Sequence, residues 1–100
     1  MNSLINLALI GASGVVGKKI IYLLENKNVE INNFYPLGSS SVGDEIVFNN
    51  KEYKIEDLTN FDYSKVNLAI FSAGSKVAEE HAKDFVNAGV YVIDLSSEFR

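Results

Sequence analysis

The chain has 100 residues, a formal net charge of −4 and an apolar fraction of 47%, the proportions of one small globular domain and not of two. Its basic residues, Lys18, Lys19, Lys51 and Lys76 among them, are scattered, so no tract favours nucleic acid. Cysteine is absent, which excludes disulfides, thiolate metal sites and a cysteine nucleophile within these residues.

Residues 4–10, Leu-Ile-Asn-Leu-Ala-Leu-Ile, form an apolar run rich in branched side chains. It is too short to span a bilayer, lacks a basic leader region and ends on Gly11, so it reads as a central strand buried on both faces. From Val15 the period changes. Val16, Ile20, Leu23 and Leu24 recur at helical spacing, which predicts a helix over 15–27 with one buried stripe. A second strand is expected over 30–38, with Pro36 marking a sheet edge or a bend because it has no N–H to give to a ladder. After the polar stretch Ser39-Ser40-Ser41-Val42-Gly43, residues 45–56 read as a hairpin that turns at Asn49-Asn50.

Residues 67–71 are the third long strand, closing on Ser72-Ala73-Gly74. Ser75 is expected to cap the next helix, whose apolar face is Val77, Ala78, Ala82, Phe85 and Val86 and which Gly89 ends. Val90-Tyr91-Val92-Ile93 is the last strand. Strands alternating with helices predict an α/β fold: a Rossmann-type parallel sheet with flanking helices and a small inserted hairpin, filling residues 1–100 as one domain. The expected spatial order of the four long strands is second, first, third, fourth. Ligands in such sheets bind at the carboxyl ends of the strands, where the order reverses between the first and third.

The loop Gly11-Ala12-Ser13-Gly14-Val15-Val16-Gly17 joins the first strand to the first helix at that point. Its spacing is G-x-x-G-x-x-G. A tight turn of this kind uses glycine at positive φ, and Gly14 leaves room for a pyrophosphate to approach the backbone. The helix N-terminus adds free N–H groups and a partial positive charge, and Gly17 lets helix and strand pack closely. The end of the second strand reads the adenosine ribose: an acidic residue there favours a free 2′-OH and an arginine favours a 2′-phosphate. This chain has neither and offers Ser39, Ser40 and Ser41, whose hydroxyls suit either ligand. Ser72, Ala73 and Gly74 face the same crevice and are small enough for a flat cofactor. Arg100, in Asp94-Leu95-Ser96-Ser97-Glu98-Phe99-Arg100, is able to clamp a phosphate or carboxylate bidentately. His81, among Glu79, Glu80 and Lys83, reads as a surface residue; Tyr53 and Tyr63 read as packing residues. No His, Asp and Glu cluster has metal-ligand spacing.

Four segments together resemble aspartate-semialdehyde dehydrogenase: residues 11–17, Leu37-Gly38-Ser39-Ser40-Ser41-Val42-Gly43, Phe71-Ser72-Ala73-Gly74, and residues 92–100, Val-Ile-Asp-Leu-Ser-Ser-Glu-Phe-Arg. The third and fourth, in this order and spacing, are the specific ones. The resemblance covers the whole chain and corresponds to the amino-terminal third of such an enzyme. It implies reduction of aspartyl 4-phosphate to aspartate 4-semialdehyde with NADPH, in the cytoplasm, for the synthesis of lysine, threonine, methionine and diaminopimelate. By the same resemblance, Gly11, Ser13, Gly14, Val15 and Val16 hold the pyrophosphate and Ser39, Ser40 and Ser41 lie at the ribose and its phosphate. Ser72, Ala73 and Gly74 line the path to the nicotinamide, and Arg100 binds the substrate phosphate. The family's catalytic cysteine, acid/base histidine and substrate-carboxylate arginine would lie beyond residue 100, so no catalytic residue is expected in this chain and no turnover from it alone.

The chain departs from the family in two places. The serine loop is one residue shorter and lacks the usual arginine for the 2′-phosphate, which leaves both NADP and NAD open as cofactor. Leu95 stands where asparagine is frequent, and residues 94–100 are also similar to N-acetyl-γ-glutamyl-phosphate reductase, although Phe71-Ser72-Ala73-Gly74 favours the aspartate enzyme. The alternatives are a non-catalytic nucleotide-binding module and a short-chain reductase or epimerase domain, which also uses this glycine spacing; the serine loop without an acidic residue and the Phe99-Arg100 ending argue against the latter. Partners expected are a dinucleotide, a phosphate and, through an exposed apolar fourth strand, further copies of the chain as a dimer or higher homo-oligomer; no nucleic acid and no membrane are expected.

Overall fold

The structure, a computed structural model, describes residues 4–39, 41–72 and 75–95, with the backbone alone for residues 75–79. In chain order it contains β1 (Asn6–Ile10), α1 (Val15–Asn26), β2 (Asn33–Gly38), β3 (Glu45–Phe48), β4 (Lys51–Lys54), β5 (Glu56–Asp57), two 3-10 turns (Leu58–Asn60 and Tyr63–Lys65), β6 (Leu68–Phe71), α2 (Ser75–Asn87) and β7 (Tyr91–Asp94). Five strands make a parallel sheet in the order β5-β2-β1-β6-β7, and β3 and β4 form a separate antiparallel pair. The order of the long strands, with its reversal between β1 and β6, is the one their apolar runs and crossovers predict.

Alternation along β1 divides the core. Ala8 and Ile10 face α2 and the 3-10 turns, in a cluster with Leu37, Leu58, Phe61, Val66, Ala69, Phe71, Phe85 and Val90. Leu7 and Leu9 face α1 and the hairpin, in a cluster with Ala12, Ile20, Ile21, Phe34, Phe48 and Ile70. The hairpin is therefore part of the wall. Phe48 stacks on Phe34 with ring centroids 4.6 Å apart, and Tyr53 meets Phe34 edge-on at 5.1 Å. On the other face Phe85 meets Tyr63 at 4.6 Å and Phe71 at 5.6 Å. Both tyrosines pack, as their positions in the sequence suggest.

Several local expectations are corrected. Leu23 is 53% exposed and leaves the buried stripe of α1, which runs through Val16, Gly17, Ile20, Ile21 and Leu24. Leu23 keeps helical spacing, but the cluster that takes in Val16, Ile20, Ile21 and Leu24 with the hairpin's Ile46, Phe48 and Tyr53 does not include it. Val86 is likewise 59% exposed and lies off the face of α2 that Phe85 buries. Ser75 is the first residue of α2 and not the residue before it. β2 starts at Asn33 and not at residue 30, because the chain up to Val29 is still closing α1: Asn28 takes φ 52°, and the Val29 N–H reaches the Leu24 carbonyl at 3.1 Å. Gly89, at φ 85°, ends α2 by the same device, with the Val90 N–H on the Phe85 carbonyl at 2.9 Å.

The hairpin turns where expected. Asn49 and Asn50 have φ of 52° and 65°, the two positive values that a two-residue primed turn needs. Glu56 leaves it, however, and with Asp57 forms β5 beside Leu37 and Gly38. Pro36 fits this arrangement. The Leu37 carbonyl points to β1, where it accepts from the Gly11 N–H, so the missing donor of Pro36 faces the β5 side, and β5 pairs only with Leu37 and Gly38.

Candidate functional site

Gly11 is the junction of three strands. Its φ of 83° turns the chain out of β1. Its N–H donates to the Leu37 carbonyl at the end of β2 at 2.9 Å, and its carbonyl accepts the Gly14 N–H at 3.0 Å. That carbonyl also accepts the Ser72 hydroxyl from the end of β6 at 3.2 Å, while the same hydroxyl donates to the Ile10 carbonyl at 2.7 Å. The glycine loop is thus tied on both sides to the switch point between β1 and β6. Ser72, expected from the sequence to line the crevice, has its hydroxyl turned back to the loop and positions it.

The three glycines do different work. Positive φ belongs to Gly11 and not to Gly14, which has φ −76° and ψ 174°, a conformation open to any residue. A side chain at Gly14 would have only the Gly11 carbonyl oxygen near it, at 3.4 Å, so what Gly14 leaves free is the space in front of the loop. Gly17 is the packing glycine. A Cβ there would collide with the Gly11 carbonyl oxygen and come within 2.8 Å of the Ala12 carbonyl oxygen.

Gly14 caps α1 without a side-chain hydrogen bond, and the first helical bond runs from the Lys18 N–H to the Gly14 carbonyl at 3.0 Å. The N–H groups of Val15, Val16 and Gly17 therefore take no acceptor from the helix itself. Together with the helix dipole they form a cradle for an anion, and the open flank of Gly14 admits one. On these grounds the residues present fit a dinucleotide pyrophosphate.

Ser13 and Ser41, both half-buried, bring the glycine loop and the serine loop together, with their Oγ atoms 3.0 Å apart. A Cβ at Gly38 would approach Ser41 Oγ at 3.2 Å, so the end of β2 is small to let the serine loop fold over it. Ser39 is exposed. Ser40, Ala73, Gly74 and Arg100 lie outside the described residues. His81 is partly buried on α2, with Nε2 3.9 Å from a Glu80 carboxylate oxygen, far from the loop in sequence and on the helix of the opposite face. Among the described residues no group of His, Cys, Asp and Glu is able to hold a metal ion, and no helix is long and apolar enough to cross a membrane.

One element of the site carried no signal in the glycine motif. A groove of about 220 Å³ lies between α1 and β3, lined by Ala12, Lys18 and Ile21 on one side and Glu45, Ile46 and Val47 on the other. Ala12, from the glycine loop, is one of its walls. At the hairpin tip the Asn49 N–H donates to Glu25 Oε2 at 2.8 Å, which fastens the hairpin to α1.

Known proteins agree with this architecture. Residues 6–100 match the family model described as semialdehyde dehydrogenase, NAD binding domain. Over its whole length the chain is 46% identical to an aspartate-semialdehyde dehydrogenase of Legionella pneumophila and 41% identical to one of a Shewanella species. It is 39% identical over 97 residues to one of Campylobacter jejuni. Among solved structures, aspartate semialdehyde dehydrogenase II of Vibrio cholerae superimposes with a TM-score of 0.90 at 34% identity, over 97% of this chain and 32% of that one. A probable aspartate-semialdehyde dehydrogenase of Pseudomonas aeruginosa gives 0.90 at 33%, over 98% of this chain and 30% of that one. The chain spans 28 to 30% of the length of these curated relatives. A glycine loop wired to three strand ends, a serine loop folded over it and a family match across residues 6–100 lead to one assignment: the chain belongs to the semialdehyde dehydrogenase family, as its NAD-binding domain.

Proposed function

We propose that the chain orients a nicotinamide dinucleotide for an aspartate-semialdehyde dehydrogenase, which reductively dephosphorylates aspartyl 4-phosphate to aspartate 4-semialdehyde. The observation that carries this is the uncapped start of α1 behind an open Gly14, in a chain whose relatives bear that enzyme's name. When bound, the nicotinamide accepts or delivers hydride. The residues of this chain bind and position. The N–H groups of Val15 and Val16 hold the pyrophosphate, and Gly11 and Ser13 shape the loop. Ser72 ties the loop to the end of β6, and Ser39, Ser40 and Ser41 meet the adenosine ribose. Ala73 and Gly74 border the path to the nicotinamide, and Arg100 takes the phosphate of the substrate.

No residue of the chain supplies a thiol nucleophile, since it has no cysteine. The acyl-transfer chemistry therefore belongs to residues outside this chain, and the chain alone is catalytically silent. The reading places the protein in the cytoplasm, as a homo-oligomer. Gly14→Val tests it. The backbone at residue 14 tolerates a side chain, so the variant should fold while its branched group fills the anion cradle. Calorimetric titration should show binding of NADP and NAD to the parent chain and none to the variant, with circular dichroism unchanged. Equal affinity in a folded variant would place the pyrophosphate elsewhere.

A further inference from the structure

The serine loop lacks the charge that decides between the two dinucleotides. Residues 39–43 are Ser-Ser-Ser-Val-Gly, with neither the acidic residue that rejects a 2′-phosphate nor the arginine that attracts one. Charge at this place has to come from another element. The groove between α1 and β3 supplies a candidate. Ala12, in the glycine loop, is one of its walls, and the next residue, Ser13, is hydrogen-bonded to Ser41 of the serine loop at 3.0 Å. Lys18, one turn into α1, lines the same groove, and Glu45 stands on the opposite wall. Among the described residues Lys18 forms no ion pair. Lys19, its neighbour, does not line the groove, and Lys51 on β4 lies over the Tyr53 ring, 5.6 Å from its centroid.

We infer that Lys18 is a specificity-determining residue: its ammonium, reaching along the groove past Ala12 to the Ser13–Ser41 pair, supplies the positive charge for the adenosine 2′-phosphate of NADP. The inference rests on the pyrophosphate lying on the glycine loop, since that anchors the ribose near Ser41. Lys18 binds as a point charge without the bidentate geometry of an arginine, and Glu45 opposes it. The resulting preference for NADP is modest and falls as salt is raised.

The test is a set of titrations of the 100-residue chain with NADP and with NAD, on the parent and on Lys18→Gln, Lys18→Arg and Glu45→Gln, each checked for folding by circular dichroism. Lys18→Gln should weaken NADP about tenfold or more and leave NAD unchanged. Lys18→Arg should restore NADP, and Glu45→Gln should tighten it severalfold. Folded Lys18→Gln with unaltered NADP affinity overturns the inference, as does an equal loss for both nucleotides, which would put Lys18 at the pyrophosphate instead. Should Lys18→Gln fail to fold, Glu45→Gln decides alone: unchanged NADP affinity there overturns the inference. A parent chain that binds neither nucleotide overturns the pyrophosphate reading and this inference with it, a result distinct from loss of the 2′-phosphate preference alone.

Discussion

At residue 17 a side chain would press on the carbonyl oxygens of Gly11 and Ala12, which are fixed by the strand end and cannot yield. Gly17→Ala should therefore cost about 1–3 kcal/mol despite the better helix propensity of alanine, an overpacking penalty measurable by urea unfolding. Gly11→Ala should cost a similar amount, about 1–3 kcal/mol, through its positive φ. Gly14→Val should cost little. This contrast separates glycines that a motif treats alike. Their spacing in the sequence locates the loop, but it does not say which glycine bends, which packs and which leaves space. Those roles depend on where the Gly11 carbonyl points, and Leu37 and Ser72, far along the chain, determine that. The serine hydroxyls show the same limit. Ser72 was expected to line the crevice, and its hydroxyl partners, the Ile10 and Gly11 carbonyls, lie more than 60 residues away.

The elements that sequence made plain are those with a strong pattern: the apolar runs of β1 and β6, the amphipathic helices, and the paired asparagines of the hairpin turn. β5 was not legible because Glu56 and Asp57 are poor strand formers and pair only with Leu37 and Gly38, at the end of β2. The two 3-10 turns that follow are held by local carboxylates. Asp57 accepts from the Thr59 hydroxyl at 2.7 Å and the Thr59 N–H at 2.9 Å, and Asp62 accepts from the Ser64 hydroxyl at 2.6 Å and its N–H at 3.0 Å. In each case the side-chain hydrogen bond, then the backbone one, holds the carboxyl below its ordinary pKa. A folded-state value below the unfolded one gives stability that is complete above about pH 4 and is lost as pH falls through the lowered value. Thermal unfolding followed from pH 6 to pH 2 should show that acid loss, and Asp57→Asn with Asp62→Asn should flatten it. On the opposite side of the same segment, Phe85 is fully buried against Phe61, Tyr63 and Phe71. Phe85→Ala should destabilise the chain by about 3–5 kcal/mol, read from the denaturation midpoint.

The whole sheet has two unlike edges. β5 is two residues long and charged, a poor template for another strand. β7 is longer, and its Tyr91 and Ile93 are 71% and 36% exposed, while Val92 turns to the core with the α2 cluster. The last strand is thus apolar on both faces but buried on only one. We expect the isolated chain to self-associate along β7, with light scattering showing growth across a concentration series and Tyr91→Lys suppressing it. Val92→Lys would disturb the core and is the poorer probe. A strictly monomeric chain at high concentration would show that this edge is not used. We place the dinucleotide pyrophosphate where β1, β2 and β6 converge on Gly11. Amide resonances of the labelled chain, followed in a heteronuclear NMR titration with NADP, read that placement residue by residue. Perturbations concentrated at Gly11, Ser13, Gly14, Val15 and Val16, with smaller ones at Ser39, Ser41 and Ser72, are predicted. Perturbations centred on the hairpin tip or α2, with the glycine loop unmoved, would contradict it.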